Sequence, residues 1–287
     1  MKRTTSLWGL APGRRPWLSE AIATENSNRI FADAGPCALV GMVHLAPLPG
    51  SPGWAGSMSE VLDRALDDAQ TLANAGCDAL IVENMGDLPY LNGGVPPETI
   101  AAMTLATAQV VEVGLPTGVQ VLAAANREAL GVALAAGAQF VRVEGFAYAH
   151  VADEGWIDAC AGPLTRARKA LGADIEIWAD VQKKHAAHAV TADLGIDDLA
   201  RGAAFCGADA LIVTGGSTGA PTRIEDVQAV GRANLPVVVG SGVDPDNAEQ
   251  LAAEADALIV GSWLKHGGDW RNPVDPVRVQ TLRELLD

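Results

Sequence analysis

Glu83-Asn84-Met85-Gly86-Asp87 sets two carboxylates and an amide close together, a grouping that suits general acid/base work or a divalent metal such as Mg²⁺. The alternative for Asn84 and Asp87 is a loop held by hydrogen bonds to its own backbone. Asp180-Val181-Gln182-Lys183-Lys184-His185 puts a carboxylate ahead of lysines and a histidine. A lysine there could bind an anionic group or, once desolvated, act as a base or Schiff-base nucleophile; the plainer alternative is a solvated basic loop. His44 stands before a proline-rich stretch (Pro47, Pro49, Pro52), and a histidine titrating near neutrality suits proton transfer. Arg142 and Glu144 share a strand face by alternation, so they could pair with each other, or Arg142 could hold a carboxylate or phosphate. The catalytic candidates are therefore Glu83, Asp180, Lys184, His185 and His44. Asn84, Asp87, Arg142, Glu144 and Thr214 are candidates for substrate contact. His185 and His188 form an HxxH without a third ligand, a weak metal signal.

Glycine-rich segments point to a second kind of chemistry. Gly240-Ser241-Gly242 and Gly261-Ser262 offer backbone N–H groups unobstructed by side chains, and Gly215-Gly216-Ser217-Thr218-Gly219 could extend the cradle. Converging backbone amides bind anions, so these loops are candidates for holding a phosphate. The competing reading is that the glycines only permit tight turns.

The elements that must position these residues follow from a recurring pattern. Cys77-Asp78-Ala79-Leu80-Ile81-Val82 returns as Ala208-Asp209-Ala210-Leu211-Ile212-Val213 and as Ala255-Asp256-Ala257-Leu258-Ile259-Val260, with a looser copy at residues 138–143. Helical periodicity precedes each copy, and Gly76, Gly137 and Gly207 stand where a helix must stop. A short apolar β-branched run after a glycine stop reads as a strand covered on both faces. Extending the pattern gives eight strands: Ala38–His44, Ala79–Glu83, Thr117–Leu122, Phe140–Glu144, Ile175–Asp180, Ala210–Thr214, Pro236–Gly240 and Ala257–Gly261. Ser57 with Glu60, Pro97, Asp244-Pro245 and Asp275-Pro276 mark helix starts between them. The expected fold is a single α/β (β/α)8 TIM barrel over residues 36–287, with residues 1–35 as an N-terminal extension. A doubly wound sheet is disfavoured because no GxGxxG follows the first strand. In a barrel, polar strand ends face the mouth, with acid/base groups on early strands and glycines on the last two.

Composition narrows the partners. The 287 residues are 49% hydrophobic and 19% charged, enough apolar content for a large core. A net charge of −15 without a compensating Lys/Arg cluster argues against a nucleic-acid partner. No apolar run approaches a membrane span, and no signal peptide is read at the start. Cys37, Cys77, Cys160 and Cys206 are widely spaced, which suggests buried reduced thiols in a cytoplasmic protein. A homo-oligomer is expected.

Gly41-Met42-Val43-His44-Leu45-Ala46-Pro47-Leu48-Pro49-Gly50-Ser51-Pro52, Glu83 to Asp87, Lys184-His185-Ala186, and Val239-Gly240-Ser241-Gly242-Val243 together resemble the BtpA family. Val213-Thr214-Gly215 with Thr218-Gly219, and Asn272-Pro273-Val274-Asp275, add to the resemblance, which runs from about Ala38 to Leu286. It implies a ribulose-phosphate-binding type of barrel, hence a phosphorylated ligand, and an association with photosystem I biogenesis. The chain departs from the family pattern at Ala123-Ala124-Ala125, where a polar stretch is usual, and at Glu144, where asparagine is usual. The expected function is an enzyme acting on a small phosphorylated metabolite, a sugar phosphate or ribosyl derivative, by acid/base chemistry of the isomerase, lyase or glycosyl-transfer kind. No cofactor is expected, Mg²⁺ being the one metal considered. The alternatives are a non-catalytic assembly factor and a metal-dependent hydrolase.

Overall fold

A computed structural model describes residues 36–215 and 221–287. The expected extension at 1–35 and the expected phosphate contacts Gly216 and Gly219 lie outside the described residues. In chain order the first half comprises β1 (Ala38–His44), α1 (Met58–Asn74), β2 (Ala79–Glu83), α2 (Pro97–Val111), β3 (Thr117–Gln120), α3 (Asn126–Ala136), β4 (Phe140–Val143), β5 (His150–Ala152) and β6 (Gly155–Ile157). The second half comprises α4 (Ala161–Ala170), β7 (Glu176–Asp180), β8 (Ala186–Ala187), α5 (Ile196–Phe205), β9 (Ala210–Val213), α6 (Ile224–Gly231), β10 (Val237–Val239), α7 (Ala248–Ala252), β11 (Ala257–Val260) and α8 (Pro276–Leu286). β1, β2, β3, β4, β7, β9, β10 and β11 close into a parallel barrel in that order, as the repeated strand pattern predicts.

Two apolar layers hold the barrel, and the period-2 alternation of each strand separates them. Leu39, Leu80, Val119, Val141, Ile177, Leu211, Val239 and Leu258 point outward into the core shared with the helices. Val40, Met42, Ile81, Phe140, Trp178, Ile212, Val238 and Ile259 fill the interior. Phe140 and Trp178 stack at 3.8 Å between ring centroids in its centre. Gly118 is required there, since a Cβ at that position would lie 2.2 Å from the Phe140 ring.

Several local readings are corrected. The strand hydrogen bonding stops at Gln120 and Val143, before Leu122 and Glu144, because the chain turns into loops at those points. Asp244-Pro245 does not cap a helix: α7 begins at Ala248, and the Asp244 carboxylate accepts from the Asp246 N–H within the preceding turn. Asp275 caps α8 as expected, accepting from the Val277 N–H with Pro276 at the first position. Only Cys37 and Cys77 are buried; Cys206 is exposed. The strand pattern also gives no sign of the small antiparallel sheet β6-β5-β8, built from the loops after β4 and β7.

Candidate functional site

The inward-facing line of each strand ends in a polar or glycine residue at the mouth. Met42 leads to His44, Ile81 to Glu83, Phe140 to Arg142, Trp178 to Asp180, Val238 to Gly240 and Ile259 to Gly261, each two residues on. Strand register sets His44 beside Glu83 and Glu83 beside Gln120. These residues wall a cavity of about 700 Å³ whose rim adds Glu144, Glu154, Lys183, Lys184, His185, Trp263 and Trp270. That size falls in the range of small-molecule sites.

The charges are organised in buried pairs. Arg142 does not pair with Glu144, the partner that alternation suggests. Its Nε and Nη2 donate to the two Asp180 carboxylate oxygens at 3.0 Å each, and Nη1 donates to the Gly240 carbonyl at 3.3 Å. Gly240 permits this approach, since a Cβ there would sit 2.5 Å from Ile212 and 3.2 Å from Arg142 Nη2. With both oxygens engaged, Asp180 is arranged to fix the guanidinium. Glu144 instead faces Lys183 at 3.7 Å and accepts from the Ala124 N–H at 3.0 Å. Lys183 in turn donates to Glu154 at 2.7 Å, from the turn between β5 and β6.

Burial sets the proton affinities. It pushes the Glu144 carboxyl up to about 7, against the pull of Lys183. It raises Glu83 as well, with Arg142 and Lys184 opposing. His44 is held well below the usual histidine range by burial and then by Lys265 and Lys184, so its ring is neutral. Lys184 is lowered by burial and by the Arg142 charge. His44 Nε2 lies 3.5 Å from Glu83 Oε2. Two carboxyls of raised affinity, a neutral imidazole and a weakened ammonium share one cavity, and Glu144, at about 7, can exchange a proton near neutral pH.

Three residues lining this cavity each carry a buried polar atom with no hydrogen-bond partner among the described residues: His44 Nδ1, Gln120 Oε1 and Ser241 Oγ. Buried polar atoms are rarely left so. Gly240-Ser241-Gly242 and Gly261-Ser262 line the same cavity. Gly242 adopts a φ of +74, and a Cβ on Gly261 would press against the His44 ring at 2.9 Å.

Other candidates are placed elsewhere. Asn84, Asp87 and Thr214 do not line the cavity, and their polar atoms bond to backbone and to each other. Asn84 Oδ1 accepts from the Leu122 N–H at 2.7 Å, and its Nδ2 donates to Asp87 Oδ2. Asp87 Oδ1 accepts from the Leu48 N–H at 2.7 Å. This ties the loop after β2 to the proline-rich loop after β1, at a backbone approach only Gly86 allows: a Cβ there would lie 2.5 Å from Pro47 N. Thr214 donates to the Gln182 carbonyl. Gly215 is not among the residues lining the cavity, whereas His185 is, on an exposed loop position with φ of +56. The motifs single out none of Lys183, Glu154, Trp263 and Trp270, whereas Gln120 is one of the polar strand ends. The alternation around Asp153-Glu154-Gly155 is a hairpin signal that could have pointed to Glu154. Among the described residues no group of three or more His, Cys, Asp or Glu is arranged to hold a metal ion.

Comparison with known proteins agrees with this architecture. The chain is 44% identical over 255 residues to an uncharacterized mitochondrial protein of Caenorhabditis elegans, covering 86% of this chain and 92% of that protein. It is 38% identical over 254 residues to the photosystem I biogenesis protein BtpA of Synechocystis, covering 86% and 87%. Among solved structures, Mycobacterium tuberculosis tryptophan synthase matches with a TM-score of 0.60 at 18% identity, covering 91% of this chain and 98% of that one. Thiamine phosphate pyrophosphorylase from Pyrococcus furiosus matches with a TM-score of 0.55 at 16% identity, covering 88% and 96%. At such identities the likeness is one of fold. The BtpA family profile matches residues 36–287, every barrel strand included, and the chain belongs to the BtpA family.

Proposed function

We propose that this protein is an enzyme acting on a small phosphorylated metabolite, a sugar phosphate or ribosyl derivative, by acid/base chemistry of the isomerase, lyase or glycosyl-transfer kind. The observation that carries the reading is the polarised cavity. Glycine loops after β10 and β11 share it with Glu83, Glu144, His44 and Lys184, and three orphan polar atoms face no protein partner. The phosphate sits on the backbone of Gly240–Gly242 and Gly261-Ser262, with Ser241 Oγ as a further donor. Glu83 and Glu144 exchange protons with the reacting carbons or hydroxyls, and neutral His44 relays a proton to Glu83. Lys184 and His185 contact substrate, and Asp180 keeps Arg142 aimed across the floor of the cavity. Cytoplasmic placement and homo-oligomerisation belong to the same proposal; among the described residues no helix is long and apolar enough to cross a membrane.

Titration calorimetry with ribose 5-phosphate and ribulose 5-phosphate tests it. Binding competed by inorganic phosphate supports the reading, with conversion followed by NMR and abolished in Glu83→Gln. Absence of binding, or binding indifferent to phosphate, overturns it. The name of the Synechocystis relative supports a second reading, an assembly factor without catalysis. That reading expects Glu83→Gln to leave biological activity and partner pull-down intact.

A further inference from the structure

Among the described tryptophans, Trp263 and Trp270 stand apart. Both are partly exposed, and both line the cavity from the segment after β11. The Arg278 guanidinium lies 4.9 Å over the Trp263 ring and that of Arg271 lies 4.8 Å over Trp270. Trp270 meets the His44 ring edge-on with centroids 6.2 Å apart, which places it against the row His44–Glu83–Gln120.

The segment bearing the two indoles is anchored beyond what loop closure requires. Lys265 is fully buried, and its Nζ donates to Asp68 Oδ2 at 2.8 Å, while Asp68 Oδ1 accepts from the Val274 N–H. A backbone bridge between Lys265 and Val274 and the bond from the Asp275 N–H to the Leu264 carbonyl close it further. Gly267 and Gly268, both at positive φ, bring bare backbone to the cavity wall between the indoles. A buried ion pair is a costly way to hold a loop, and such cost is repaid where rigidity has a use.

Flat aromatic walls held rigid favour a planar partner, because stacking rewards flatness and little entropy remains to be lost. The orphan atoms say the partner is not a hydrocarbon: an acyl chain would leave Gln120 Oε1 and His44 Nδ1 buried and unpaired. Gln120 Nε2 is directed at Glu144 Oε1 at 3.4 Å, which orients its amide so that Oε1 is the atom left over. An oriented amide oxygen reads a ring N–H or amino group. A pentose phosphate alone leaves much of a cavity of about 700 Å³ empty.

We infer that the substrate class is a phosphorylated ribosyl compound bearing a planar heteroaromatic ring, of nucleoside 5′-monophosphate type, with the ring on Trp270 and its polar edge toward Gln120. This rests on the phosphate reading above and adds the ring to it. The test is calorimetry with inorganic phosphate, ribose 5-phosphate, the free nucleosides, and AMP, GMP, CMP and UMP. At least one nucleotide is expected to bind roughly 5- to 150-fold more tightly than ribose 5-phosphate, the range that stacking of one base provides. Trp270→Ala returns that nucleotide to the ribose 5-phosphate level without changing ribose 5-phosphate binding, and Trp270→Phe keeps most of the gain. No nucleotide exceeding ribose 5-phosphate, or a gain that survives Trp270→Ala, overturns the ring and leaves the phosphate reading standing. A nucleoside binding as tightly as its nucleotide keeps the ring and overturns the phosphate site. No binding by any compound overturns both.

Discussion

Asp180→Asn is expected to destabilise the barrel severely, although it changes only one atom type. Asp180 and Arg142 are both buried, and the pair is joined by two N–H···O bonds of 3.0 Å. Asparagine removes the charge and offers at most one acceptor oxygen, so Arg142 keeps its full desolvation cost with its remaining nearby carboxylates at Glu83 and Glu144. Breaking one partner of a buried pair costs about 3–5 kcal/mol. A large domain loses about 2–4 °C of Tm per kcal/mol, so the fall should be roughly 6–20 °C. Thermal and urea unfolding followed by circular dichroism measure it, alongside Arg142→Met and the double variant. The double variant should recover part of the loss, because neither charge is then left alone. An Asp180→Asn protein within about 1 kcal/mol of the parent would refute the reasoning, since surface pairs behave that way. Strictly additive single-variant losses would refute it as well.

Glu144 makes stability depend on pH. Its folded-state affinity is raised to about 7, so its contribution is fully present below its unfolded value and is lost as pH rises through about 7. Glu176 is raised to about 7 by burial and adds to the same fall. The unfolding free energy from urea titration should drop between about pH 5 and 8 by up to roughly 3 kcal/mol per group, and Glu144→Gln should flatten part of that slope. Gly86→Ala forces a Cβ to 2.5 Å from backbone at Pro47, so expression as soluble protein should collapse or Tm should fall sharply; an unchanged Tm would show that the two loops can part. Lys265→Met strands Asp68 in the core and should cost about 3–5 kcal/mol by the same assay.

The barrel was legible in the chain because its signals are local. A glycine stop followed by Asp-Ala-Leu-Ile-Val specifies a helix end and a buried strand without reference to anything distant, and period-2 alternation already assigns His44, Glu83, Arg142 and Asp180 to the interior line. Which of those residues are free to act was decided only in three dimensions. Arg142 could reach Glu144, two residues on in the chain, yet the adjacent strand offers it two Asp180 oxygens in fork geometry, and a bidentate pair displaces a simple one. That exchange leaves Glu144 to Lys183 and the Ala124 N–H, with a raised affinity no spacing rule conveys. For Asn84 and Asp87 the sequence left ligand contact and loop-stabilising bonds both open, and only packing shows that the Leu122 and Leu48 N–H groups lie within their reach. The tryptophan wall needed the Asp68–Lys265 pair, 197 residues apart, to be seen at all. Sequence periodicity fixes the face a side chain takes; its partner, and hence its charge and its chemistry, depends on contacts made across the closed barrel.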